Sequence, residues 1–77
     1  MLFGQYLRAE RIKRNLSAEE LALKCGTSRS YITLIENGTR MPGKKIISNI
    51  AAGLGLKSSI VINWYLADVR RKLEEGK

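Results

Sequence analysis

Residues 17–38 read SAEELALKCGTSRSYITLIENG, and two short helices can be parsed from them without reference to anything else. Ser17 followed three residues later by Glu20 is a capping box, in which each side chain satisfies a backbone N–H that a helix start leaves unpaired. Leu21, Ala22 and Cys25 follow at helical spacing, and Gly26 supplies the stop. After the short Gly26-Thr27 turn, Ser28 is a second N-cap, Ile32 and Ile35 form a buried stripe, and Asn37-Gly38 ends the helix. The second helix has little for a core. Arg29, Ser30, Thr33 and Leu34 point elsewhere.

The rest of the chain reads as three more helices and no strand. One runs from about Phe3 to Arg14, with Phe3 and Leu7 on one side, joined by Tyr6 and Glu10. Beyond the loop GTRMPG, residues 38–43, a helix over Lys44–Leu54 turns Ile46, Ile47, Ile50, Ala51 and Leu54 inward and stops at Gly55. Ser58 or Ser59 caps the last helix, which reaches about Glu75 and carries Ile62, Leu66, Val69 and Leu73 at i, i+4, i+7 and i+11. The expected fold is all-α, five helices in one domain over residues 1–77, with the paired helices at 17–36 and an extended C-terminal helix at 58–75.

Composition narrows the partners. The 77 residues hold 14 Lys and Arg against 7 Asp and Glu, a net charge of +7 that points to a polyanion. A hydrophobic fraction of 44% is enough for a folded domain. One cysteine excludes an internal disulfide, and the absence of histidine removes the common zinc ligand sets and the usual general base. There is no phosphate-cradling glycine motif and no eighteen-residue apolar run, and no cleavable signal is expected, because Met1-Leu2-Phe3 meets Gly, Gln and Arg within a few positions. The expectation is a cytoplasmic protein that is not an enzyme, binds no metal or cofactor, has no evident small-molecule effector and does not engage a membrane.

Two helices joined by a short Gly-containing turn form a helix-turn-helix unit. A second helix with so thin a core contribution can enter a major groove, which is wide enough to admit it. Arg29 there can grip guanine O6 and N7, Ser30 and Thr33 can bond to several base edges, and Leu34 can meet a thymine methyl. Donors are needed near the N-terminal end of such a helix, where Arg29 stands. Lys44 and Lys45 add to the basic loop beside it.

From Phe3 to about Ile62 the chain resembles the phage-repressor-like (Xre-type, lambda/Cro-like) helix-turn-helix family. The resemblance is carried by FGQYLRAER, LSAEELALKCGTSRSYITLIENG, Pro42 and IAAGLGL in that order and spacing. It implies a lambda-repressor-like fold and a transcriptional regulator, prokaryotic, phage-borne or plasmid-borne, that binds double-stranded DNA. It implies base reading by Ser28, Arg29, Ser30 and Thr33, and phosphate contacts by Asn37, Thr39 and Arg40. It also implies an ion pair between Arg11 and Glu36 that holds the second motif helix. Tyr31 either touches a phosphate or packs on the scaffold. The chain departs from the family at Ala18, where many members have glutamine, so that only backbone N–H groups remain there for a phosphate. It departs again at Lys44, commonly apolar, and at Leu34, often polar.

The C-terminal helix extends past the family core. Seventeen helical residues span roughly 25 Å, more than a small core covers. Ile62, Trp64, Tyr65, Leu66, Val69 and Leu73 are therefore expected to form a homodimer interface, since small domains often gain stability by association and two-fold dimers read palindromic sites. The alternative is that the tail frays or leads into a further domain, the chain being the N-terminal part of a larger regulator. A different function class also fits the fold: a protein-interaction module that does not bind DNA, such as the cytoplasmic helix-turn-helix domain of a bacterial shape protein family. The short loop and the cluster of Arg29, Arg40, Lys44 and Lys45 favour DNA over that reading.

Overall fold

The computed structural model describes residues 2–76, in which five α-helices follow one another: α1 Phe3–Lys13, α2 Ala18–Cys25, α3 Arg29–Glu36, α4 Lys44–Leu54 and α5 Ser58–Glu75. Local chemistry explains most of the boundaries. Ser17 Oγ accepts from the Glu20 amide at 3.0 Å, and the Ser17 amide donates back to Glu20 Oε1 at 2.8 Å. That amide holds the Glu20 carboxyl below the usual carboxylate range. Gly26 closes α2 in the left-handed region (φ 66°), where a side chain would be strained. α5 differs from expectation at its start. Lys57, not Ser58 or Ser59, is the N-cap, and no side chain caps it.

α2 packs on α3 and α4, α4 packs on α5, and α1 bridges α3 and α5, so the helices close a ring around a shared core. Phe3, Leu7, Leu21, Ile32, Ile35, Ile50 and Val61 are fully enclosed there. Cys25 joins them as a packing group, and burial pushes its thiol pKa up, away from the reactive thiolate. Asn49 Nδ2 donates to Cys25 O at 3.0 Å and so ties α4 to the end of α2.

α5 presents two apolar faces. Val61, Trp64 and Asp68 turn inward, while Ile62, Leu66 and Leu73 are exposed by 43%, 55% and 72%. This corrects the placement of Trp64 among the interface residues. It is only 8% exposed, its ring stacked on Tyr6 with centroids 5.5 Å apart and edge-on to Phe3 at 6.0 Å. The large ring fills the space between α1 and α5, so it is occupied within the protomer.

Gly4 shows how closely α1 meets α3. A Cβ there would overlap the Ile35 and Glu36 carbonyl oxygens, lying 2.6 Å from the latter. Gly4→Ala would gain up to about 1 kcal/mol of helix propensity, but the obstruction is backbone and cannot rotate away. We expect a net loss of about 2 kcal/mol in chemical denaturation. Gly43→Ser, at a helix N-cap with open space around it, should leave stability near wild type. An unchanged midpoint for Gly4→Ala would mean that α1 and α3 are not in this contact.

Candidate nucleic-acid interface

α3 is held from three sides. Ser28 Oγ accepts from the Tyr31 amide at 3.1 Å and caps its start. Ile32 and Ile35 sink into the core, and Tyr31 packs half-buried against the same cluster. At the far end the Arg11 guanidinium grips Glu36 with two parallel hydrogen bonds, Nε to Oε2 at 2.7 Å and Nη2 to Oε1 at 3.0 Å. Its third arm, Nη1, donates to Leu16 O at 2.9 Å. The Glu36 hydrogen bonds raise the Arg11 pKa, so this group is a permanent cation. The two side chains are only 15% and 8% exposed, so the pair is largely withdrawn from solvent.

The outer face is then fixed by elimination. Arg29, Ser30, Thr33 and Leu34 line one shallow concavity on the surface of α3. Arg29, Ser30 and Thr33 are exposed and Leu34 is half-buried, so three polar groups stand around one apolar side chain. Ser28 is exposed too, though its hydroxyl already accepts from the Tyr31 amide.

The following loop is wound onto the end of α3. The Thr39 and Arg40 amides donate to Leu34 O at 3.0 and 3.1 Å, and Asn37 Oδ1 accepts from the Thr39 amide at 3.0 Å. The Asn37 side chain thus shapes the loop, while Thr39 and Arg40 remain exposed. Pro42 is buried and returns the chain to α4, whose first residues, Lys44 and Lys45, are both exposed. Ala18 opens α2 half-buried, against the core. Sequence reading missed Gly4, Asn49 and Asp68, the residues that fix α1 and α4. A glycine inside a predicted helix was the one available sign, since it lowers helix propensity without local reason.

Among the described residues no group of side chains could hold a metal, and no helix is long and apolar enough to cross a membrane. A short helix fixed at both ends, with donors free along its outer side and basic residues at the adjoining loop, defines a helix-turn-helix DNA-binding domain. The chain belongs to the phage-repressor-like helix-turn-helix family of DNA-binding transcription regulators, and the helix-turn-helix family model matches residues 7–61.

The chain is 38% identical over 65 residues to the control protein C.BamHI of Bacillus amyloliquefaciens, covering 83% of this chain and 80% of that one. It is 34% identical over 62 residues to the immunity repressor protein of Bacillus phage phi105, of which the match spans only 43%, against 80% of this chain. Its structure matches that of the restriction-modification controller protein C.AhdI from Aeromonas hydrophila with a TM-score of 0.73 at 36% identity, over 77% of this chain and 89% of the other.

Glu36→Ala would leave the Arg11 guanidinium withdrawn from water with its main partner gone. Breaking a fully buried pair costs about 3–5 kcal/mol, and the residual exposure here places the expected loss near 3 kcal/mol. A thermal melt of the variant should shift down accordingly. A melt that superimposes on wild type would show that this pair does not secure α3.

Proposed function

We propose that the chain is a sequence-specific transcriptional regulator, a controller or small repressor, that reads the major groove with α3 as a two-fold dimer on a palindromic site. The observation that carries this reading is the common groove formed by Arg29, Ser30, Thr33 and Leu34. Arg29, Ser30, Thr33, Leu34 and the Ser28 turn meet base edges. Arg40, Lys44 and Lys45, with Thr39, the Asn37-shaped loop and the α2 start at Ala18, meet phosphates. Tyr31 flanks these contacts from a half-buried position. The work is binding, without a catalytic step or cofactor, in the cytoplasm of a prokaryote and on a chromosome, phage or plasmid. The likeness to a control protein and to a restriction-modification controller protein supports the controller role.

The exposed stripe of α5 supports the dimer. Ile62, Leu66 and Leu73 leave an apolar face that the chain does not cover, bordered by the half-buried Val69 and Tyr65. Two copies joined there would present their recognition helices to half-sites roughly 34 Å apart. Selection of bound duplexes from a random pool tests the whole reading. A two-fold symmetric consensus is expected, whereas recovery of unenriched sequence with little salt dependence would favour a protein-interaction module.

Arg29→Ala should cost about 1–3 kcal/mol at the selected site and relax preference at one base position. Replacing Arg40, or Lys44 with Lys45, by alanine should instead weaken binding on all sequences and lower the salt slope by about one per lost phosphate contact. If Arg29→Ala weakened every duplex equally, it would be a phosphate contact. An unaltered salt slope would remove the loop residues from the interface.

Leu66→Glu with Val69→Glu should give a folded monomer that binds a palindromic duplex much more weakly, because the two half-sites no longer act as one ligand. Sedimentation equilibrium reads the change. Wild type that stays monomeric at high micromolar concentration, and binds one chain per duplex, would contradict the dimer.

A further inference from the structure

Asp68 stands apart from both proposed binding faces. It is 3% exposed, the one buried charged residue among those described. A carboxylate in such a place is costly unless something receives it. Its Oδ2 accepts a hydrogen bond from the Phe3 amide at 2.9 Å, across 65 positions of sequence. That amide belongs to the first residue of α1, whose N-cap is Leu2, a residue with no side-chain oxygen to offer. Asp68 therefore supplies from α5 an acceptor for one of the amides that the start of α1 leaves unpaired, and its charge suits the positive end of the α1 dipole. Asp68 Oδ1 receives no hydrogen bond and lies 3.5 Å from Lys72 Nζ.

α1 held in this way stands directly on α3. Gly4, next to Phe3, allows no Cβ between itself and the Ile35 and Glu36 carbonyls. Further along α1, Arg11 grips Glu36 by both carboxylate oxygens. The path from α5 to the end of the recognition helix is thus a series of short, stiff contacts. On α5, the inward-facing Asp68 is two residues from the exposed Leu66, so a shift of the helix that accommodates a partner on that face moves the carboxylate as well.

We propose that Asp68 is a positioning residue for the recognition helix: it fixes α1 from α5, and α1 in turn sets the end of α3 through Gly4 and Arg11. The inference rests on the DNA-reading assignment of α3 for its functional meaning, but its first test needs no DNA. Amide hydrogen exchange is followed in the full chain for wild type, Asp68→Ala and Asp68→Asn, well below each melting midpoint. The asparagine oxygen can still accept from the Phe3 amide, and alanine cannot.

In Asp68→Ala, exchange should speed up at the start of α1 and also at residues 33–37 by about fivefold to tenfold, the change a lost cap typically gives. Core amides of α2 and α4 should hold their rates, and Asp68→Asn should restore α3. Acceleration confined to residues 3–6 and α5, or spread equally over every helix, would reduce Asp68 to a local cap and overturn the proposal. Failure of the asparagine to rescue would overturn the hydrogen-bond basis. Should Asp68→Ala not fold, the same amides are read in Asp68→Leu, which fills similar space but offers the Phe3 amide no oxygen, and unchanged exchange at residues 33–37 there would likewise overturn the coupling. A second arm compares affinity for a duplex selected from the random pool with that for a scrambled duplex. Asp68→Ala should lower the ratio about tenfold while leaving scrambled-duplex binding intact. A pool that yields no preferred duplex would refute DNA reading by α3, and the exchange data would still decide the role of Asp68.

Discussion

An eight-residue helix does not hold its shape in water by itself, and α3 contributes only Ile32 and Ile35 to the fully buried core. The structure depends on how that deficit is met. The ion pair between Arg11 and Glu36 meets it at one end, and the Ser28 cap meets it at the other. The pair is bidentate and mostly out of solvent, so it fixes direction as well as distance. With both ends secured without the side chains of Arg29, Ser30, Thr33 or Leu34, the outer side is released from structural duty. Arg29, Ser30, Thr33 and Leu34 are free because Arg11 and Glu36 are not.

Electrostatics follows the same division. The acidic side chains with defined partners are used within the protein: Glu36 on Arg11, Glu20 on the start of α2, Asp68 on the start of α1, Glu10 on Arg14, and Glu74 and Glu75 on Arg70 and Arg71. Arg29, Arg40, Lys44 and Lys45 stand exposed in and just after α3. Four of the exposed cations thus stand where a phosphate backbone would run if α3 entered a groove, while Arg8, Lys13, Lys24 and Lys57, also exposed, spread the rest of the net charge of +7 over other faces.

Much of this was legible in the sequence, for physical reasons. Caps and glycine stops are local chemistry, so α2 and α3 begin and end where Ser17, Gly26, Ser28 and Asn37 say they must, and α4 ends at Gly55. α5 was harder because it carries two apolar stripes, and periodicity reveals a face without saying what covers it. Val61 and Trp64 went to the core and Leu66 and Leu73 to the surface. The choice between those stripes is made by Phe3 and Tyr6, some sixty positions away, whose rings meet Trp64. Asp68 was invisible for a related reason: a charged residue reads as surface until the helix start that it caps is brought to it. Arg11 and Glu36 were foreseen only through resemblance to a family, since no spacing rule links residues 25 apart.

The central claim is that the outer face of α3 lies in the major groove, with Arg29 at guanine. Methylation protection measures this most directly, because dimethyl sulfate attacks guanine N7 on the major-groove side. With the protein bound to its selected duplex, guanine N7 protection should appear in two symmetric patches roughly one helical turn apart. The protected guanine at one position in each patch should become reactive again in the Arg29→Ala complex. Uniform reactivity at N7 under saturating wild-type protein would place the contact outside the major groove and contradict the account.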